Sequence, residues 1–539
     1  MPVMKKNNPF LYLIAAFSLL VTLYCQFPLL TNKFAIDDDV RQEIYHYERY
    51  RDKDLFKDDL IVTDYLKKWN PIGLNSFYYL ISKIYDPVQF TKILPFFLCL
   101  FSVIYMYLIG RILRNGPAGL LSGLMFIFLA WSRKDFAAFS TGNGEDFGIL
   151  FCIMVIYYFL KKDSLKTGVS LVLLALFYPP LLIICLLTCI FCLVFEFLRS
   201  GIIKKKDLIT LTSVLFIVLV ILIIEYGDGK IKMLSLTEMR NMQEFYPGGR
   251  KPLFFASFYR RWTNAESGIA LDYPVAWLAV VSFLLFIFRR KKALKDLPSS
   301  LWYFILTSFI MFIIANIVMF RLYGPSRFLR YPLPLFLIFF VAVNISDIIT
   351  SIKPVHKKSV FLLGFIALAM FCFVPKLKAR YRIAPHPGLY AFLQTLPKNT
   401  LIAGEPFLMD DIPTFAKRKV LMDDEVSQPY FADFYPLIKK RIFDFFEAYY
   451  SDSYGKVCDF CRKYEVAYLV VNKKHFSPDY LTGKFIYYNP FNDYIKDLIK
   501  DRPVLLLPNI PEEKKIFKDG DIFVLKAEDV CREKTGNAF

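Results

Sequence analysis

Long apolar runs constrain this chain more than any other feature. A helix needs about 20 mostly apolar residues to cross the hydrocarbon core. The 539-residue sequence is 56% hydrophobic and contains eleven stretches that approach or reach that length. They are residues 10–30, 90–110, 116–132, 146–160, 167–179, 180–198, 208–225, 273–288, 301–320, 328–346 and 359–375. The expected fold class is therefore a mostly α polytopic membrane protein with about eleven transmembrane helices. Tyr178-Pro179-Pro180 interrupts the fifth and sixth stretches, because proline cannot continue a helix. Those two form either a tight re-entrant hairpin or two full helices. The basic N-terminal segment leads into the first run without a small-residue cleavage site, so it reads as an uncleaved first helix.

The net charge of +19 is not a nucleic-acid footprint. The basic residues lie in short clusters between apolar runs, without the basic stripe or motif that a nucleic-acid binder carries. Such clusters set orientation by the positive-inside rule. With the N-terminus cytoplasmic, RILRN, KKDSLK, RSGIIKKK, RRKKALK and KPVHKK all fall inside. The 31–89 loop, the 226–272 loop and the end of the chain then fall outside. This points to an integral protein of a bacterial inner (plasma) membrane with an extracytoplasmic C-terminal part.

Composition divides the chain into two regions. Residues 1–375 hold the apolar runs and the long 31–89 loop. Within that loop DVRQEIYHYERYRD and DDLIVTDYLKKW have amphipathic helical spacing rich in Tyr and Trp, which suits helices lying at the membrane interface. Residues 376–539 alternate short β-prone runs (401–406, 419–424, 467–472, 503–508 and 521–527) with helical ones (435–450 and 454–465). That alternation predicts a soluble α/β domain. Seven of the ten cysteines sit in apolar runs, where they act as small hydrophobes. Cys458-x-x-Cys461 lies outside them, and either two buried thiols or a local disulfide fits a lone CxxC.

Three constellations can carry chemistry. Asp37, Asp38 and Asp39 follow the first apolar run directly. One of them, with Asp39 preferred, serves as a helix cap or metal ligand, which leaves a carboxylate for proton abstraction. Glu145 and Asp146 open the fourth run on the same face, as a helix-start acidic pair or as groups for an acceptor or a metal. Arg321, Arg327 and Arg330 crowd an outer membrane edge, where an arginine is costly unless paired. Their planar forks suit a phosphate. Gly248-Gly249-Arg250-Lys251 reads as a loop over a site or as a plain connector. Oxygen ligands at this density could hold a divalent cation, although nothing in the spacing demands one. There is no Walker A loop, GxGxxG, HExxH or GxSxG.

Together these features resemble the GT-C superfamily of membrane glycosyltransferases, in particular the protein O-mannosyltransferases and the lipid A aminoarabinose transferases. The resemblance rests on the first span, the long outer loop and the acidic motif Asp38-Asp39-Val40-Arg41 at its start. It implies transfer of a sugar from a polyprenyl-phosphate donor to a hydroxyl acceptor on a lipid, glycan or protein. It maps the base to Asp38, with Asp37 as the alternative. It maps the second acidic position to Asp146 or Glu145 and the phosphate contact to Arg327. The WWDYG-type motif of the oligosaccharyltransferase branch is absent. The competing class, a lipid or polysaccharide transporter or flippase without glycosyl transfer, would carry ionisable groups near the middle of its spans. Here they are nearly missing.

Overall fold

The structure is a computed structural model that describes residues 9–132, 139–202, 205–227, 232–264, 266–269, 271–319, 324–353, 355–500, 502 and 504–532. A long helix occupies each of the expected apolar stretches. They are α1 (Pro9–Thr31), α3 (Leu94–Leu113), α4 (Gly116–Ser132), α5 (Gly144–Leu160), α6 (Ser164–Phe177), α7 (Pro179–Ser200), α8 (Lys205–Tyr226), α9 (Tyr273–Arg289), α10 (Ser299–Val318), α11 (Pro332–Ser351) and α12 (Val355–Phe373). The label α2 is kept for Asp38–Glu43 in the first outer loop. Among the described residues, six helices are long and apolar enough to cross a membrane. They make the chain an integral membrane protein. The break at Tyr178 yields two helices, and the first of them has only 14 residues.

Packing follows from which faces are apolar on all sides. α11 is buried along nearly its whole length and forms the centre of the bundle. α8 buries only Val214, Val218 and Glu225, so it runs along the outside. α3 packs on α4 and α1, and α5 packs on α6. At the end expected to face the cytoplasm, Asp347 near the end of α11 accepts from Arg289 Nη2 at 2.8 Å and also pairs with Arg114. The basic helix ends therefore converge on one carboxylate.

After α12 the chain leaves the bundle. Arg382–Ile383 (β2) pairs antiparallel with Ala35–Ile36 (β1), the two residues before the triple Asp. A mixed five-stranded sheet comes next, in the order β4 (Lys419–Val420), β3 (Leu401–Gly404), β5 (Tyr468–Asn472), β7 (Ile522–Lys526), β6 (Lys515–Asp519). Four of the five expected strands are present. The fifth, 503–508, instead ends in a helical turn at Leu507–Asn509. Its flanking prolines cannot donate to a ladder. The charged strand β6 fell outside the expectation because Lys515–Asp519 is an exposed edge without an apolar face. The helices α13 (Tyr435–Tyr449) and α14 (Tyr454–Tyr464) lie where expected.

The CxxC motif resolves differently from either expectation. Cys458 on α14 forms a disulfide with Cys531 on the closing helix α15 (Ala527–Cys531), and Cys461 stays a buried thiol. The first-loop helices also depart from expectation. Val40, Ile44, Tyr45, Tyr47, Ile61, Val62, Tyr65 and Leu66 are buried. Tyr65 packs on Phe431 and Phe434 of the α/β region at 5.0 and 5.1 Å. These helices are sandwiched beneath the α/β region, and the aromatic spacing reflects that second apolar partner. The exposed apolar side chains of this loop lie instead on helix Ile72–Ser82 and the turn after it, at Tyr79, Leu80, Ile84 and Tyr85.

Candidate active site

The acidic triplet divides into three separate roles because α2 starts two residues earlier than expected. Asp37 is the N-cap: its Oδ1 accepts from the Asp39 backbone N at 2.9 Å. The cap therefore belongs to Asp37 and not to Asp39. Asp37 is fully buried, and Oδ2 accepts from Ser140 Oγ at 3.1 Å. Burial pushes its carboxyl up to about 7, against the pull of Arg380. Asp38 and Asp39, in the first turn of α2, face a cavity of about 730 Å³ between the first loop, the outer helix ends and the α/β region.

Asp38 is held by Arg41, one turn on, whose Nε and Nη2 donate to Asp38 Oδ1 at 2.7 and 2.6 Å. Burial alone would raise this carboxyl. The adjacent guanidinium outweighs burial and holds it below the ordinary range. Arg41 is itself buried. On its far side lie Asp410 at 3.1 Å and Glu425 at 3.6 Å, both from the α/β region. Asp410 keeps its geometry by accepting from the backbone N of Asp424 and of Glu425. Asp39 pairs with Arg380, whose Nη2 lies 2.6 Å from its Oδ1. The register of β1 with β2, Ile36 opposite Arg382, brings Arg380 to the triplet.

Glu145 and Asp146 open α5 behind the Asn143 cap and take opposite directions. Asp146 turns back and accepts from the Gly142 N at 2.8 Å. Gly142 has φ of +66°, and a Cβ there would meet Tyr78 Oη at 2.6 Å, so only glycine closes this turn. Glu145 turns forward and pairs with Arg327 and Tyr331 Oη. Arg327 also donates to Tyr178 Oη at 3.0 Å. Arg327 and Arg330 both line the cavity that Asp38 and Asp39 face. Arg321 lies outside the described residues.

One cavity residue, Glu43, carried no sequence signal that singled it out, whereas Arg250 and Lys251 belong to the Gly-Gly segment already noted. Glu43, one turn after Asp39, lines the wall beside Trp69. Burial, then the nearby Asp39, push its carboxyl up to about 8. Arg250 and Lys251 of the 226–272 loop reach the same space, with Arg250 on Asp424 at 2.9 Å and Lys251 on Glu266 at 3.1 Å. Gly248-Gly249 thus precedes part of the cavity wall. The segment is tied down by Asn489, whose N donates to the Gly248 carbonyl at 2.9 Å.

The candidate metal ligands do not fit a metal ion. Among the described residues, the carboxylates that converge in a group of three are Asp410, Asp424 and Glu425, with oxygens within 4.8 Å of one another. Arg41 and Arg250 already bridge them. Asp39, Glu145 and Asp146 are each turned to a different protein donor and form no common cage.

No family model matches the sequence, and no curated protein matches it. Solved structures do match. The oligosaccharyltransferase of Archaeoglobus fulgidus tethered with an acceptor peptide is 12% identical over 88% of this chain and 70% of that one, with a TM-score of 0.54. The same enzyme, AglB, in complex with an inhibitory peptide and a dolichol-phosphate gives a TM-score of 0.52 at 12% identity, over 88% of this chain and 70% of that one. Its complex with Zn and sulfate gives 0.54 at 11% identity, over 87% and 69%. Coverage of 88% exceeds the share of the helical bundle alone, so the likeness extends into the α/β region. This chain shares the fold of the Archaeoglobus fulgidus oligosaccharyltransferase.

Proposed function

We propose that the protein is an inverting glycosyltransferase that moves a sugar from a polyprenyl-phosphate donor to a hydroxyl acceptor at the outer face of the membrane. The observation that carries the reading is a single cavity lined by two carboxylates, Asp38 and Asp39, and two guanidinium groups, Arg327 and Arg330, in a GT-C fold. Asp38 takes the proton of the acceptor hydroxyl as its oxygen bonds to the anomeric carbon. The bond from that carbon to the phosphate oxygen breaks, and its electron pair leaves with the phosphate. Arg327 and Arg330 stabilise the charge that develops there. Glu145 and Tyr331 hold Arg327 in place until the phosphate arrives. Asp39 and Glu43 hydrogen-bond the acceptor beside the Trp69 ring.

The dolichol-phosphate bound by the archaeal neighbour supports a lipid-phosphate donor, and its acceptor peptide supports a second, acceptor substrate. The Cys458–Cys531 disulfide supports an extracytoplasmic α/β region, since such bonds persist in oxidising compartments. The test is to incubate purified protein with a panel of polyprenyl-phosphate sugars and detect released polyprenyl phosphate. At least one donor is expected to turn over, and Asp38→Asn is expected to abolish the release. Full release by Asp38→Asn would remove Asp38 as the base, and inertness towards the whole panel would remove the reading.

A further inference from the structure

Acidic side chains crowd this site, and those around the triplet face guanidinium groups. Asp38 is turned to Arg41 at 2.6 Å. Asp410 meets the same Arg41, and Asp424 meets Arg250. The remaining two acids of the triplet share Arg380. Its Nη2 lies 2.6 Å from Asp39 Oδ1 and its Nε 3.5 Å from Asp37 Oδ2. Arg380 also lines the cavity, so it bridges the buried cap of α2 and the open space where chemistry would occur.

This position is built and not incidental. The β1–β2 pairing puts Ile36 opposite Arg382, so the chain two residues before Arg382 must pass alongside Asp37. Ser140 ties the same point down, donating to Asp37 Oδ2 at 3.1 Å and to the Arg380 carbonyl at 3.4 Å. A planar guanidinium with five fixed donors can bridge two carboxylates. A divalent ion in the same place would need several oxygens converging on one point at about 2.0–2.6 Å, and Asp37 and Asp39 point at different atoms of one side chain instead.

We propose that Arg380 is the resident cation of the acidic triplet, occupying the place that a divalent metal ion would take, and that the site operates without a metal. Arg380 is a positioning residue. It fixes Asp39 towards the cavity and neutralises the buried charge of Asp37 at the start of α2. The metal-binding arm of the test does not depend on the transfer reading, so failure of one is distinguishable from failure of the other.

Purified full-length protein is titrated with Mn²⁺ and read by electron paramagnetic resonance, with thermal unfolding to confirm that each variant is folded. The wild type is expected to bind no Mn²⁺ that depends on Asp39. Arg380→Ser is expected to acquire a bound Mn²⁺, and adding Asp39→Asn to that variant is expected to remove it. Transfer by the wild type is expected to keep its rate in excess EDTA. Mn²⁺ bound by the wild type and lost in Asp39→Asn would overturn the proposal, even if Arg380→Ser does not fold. So would a folded Arg380→Ser that acquires no ion, or wild-type transfer abolished by EDTA and restored by a divalent cation.

Discussion

At the scale of single residues, neighbours separate what the sequence presents as equivalent. Asp37, Asp38 and Asp39 look alike in a row, but one is a buried cap, one is gripped by Arg41 and one is shared with Arg380. A carboxylate held below its ordinary range is a weak base towards a resting alcohol. It suffices when the proton leaves late, after the forming bond has made the acceptor oxygen acidic. Glu43 behaves in the opposite way. Its pKa rises from 4.5 to about 8 on folding, so between those values the native state holds a proton that the unfolded state has lost. Stability conferred by this site therefore falls as pH rises through that window. Glu43→Gln is expected to flatten the decline in thermal midpoint between about pH 5 and 8. An unchanged slope would show that Glu43 ionises freely.

At the scale of elements, periodicity shows what each segment is but not what it touches. The apolar runs were readable because length and composition alone decide a spanning helix. The helices of the first loop were readable as amphipathic, and their apolar face was assigned to lipid because a single sequence does not reveal that Phe431 and Phe434 cover it. The CxxC spacing fitted two buried thiols or a local pair, whereas Cys458 finds Cys531, 73 residues away. That bond ties α14 to α15 at the end of the chain. Closing a loop of this length removes unfolded-state entropy worth about 4 kcal/mol. Cys458→Ser is expected to lower the unfolding midpoint of the α/β region while leaving the helical bundle unaffected, as read by differential scanning calorimetry with and without reductant.

At the scale of the whole molecule, the site spans the boundary between the two compositional regions. The acidic motif and the candidate arginines on the helix ends were visible in sequence. Arg380, Asp410 and Glu425 were not, because charged residues in a soluble stretch carry no period or motif that sets them apart from a solvated surface. Their role comes from contacts across more than 300 positions, such as Arg41 to Asp410. The α/β region is thus a wall of the site as well as its cover. A chain ended after Phe373 lacks Arg380 and leaves the buried Arg41 without Asp410 and Glu425. Such a truncated protein is expected to insert in the membrane, as read by its extraction in detergent, and to release no polyprenyl phosphate. Release at the full-length rate would show that the bundle alone is competent.

The two-residue ladder between Ala35–Ile36 and Arg382–Ile383 also bears on biosynthesis. The first of these segments is synthesised when less than a tenth of the chain exists, and its partner is made only after every apolar helix. The backbone that carries the triplet must wait, without its cation, through the whole of insertion. Under the proposed function, transfer is expected to begin only when the two ends of the membrane region meet.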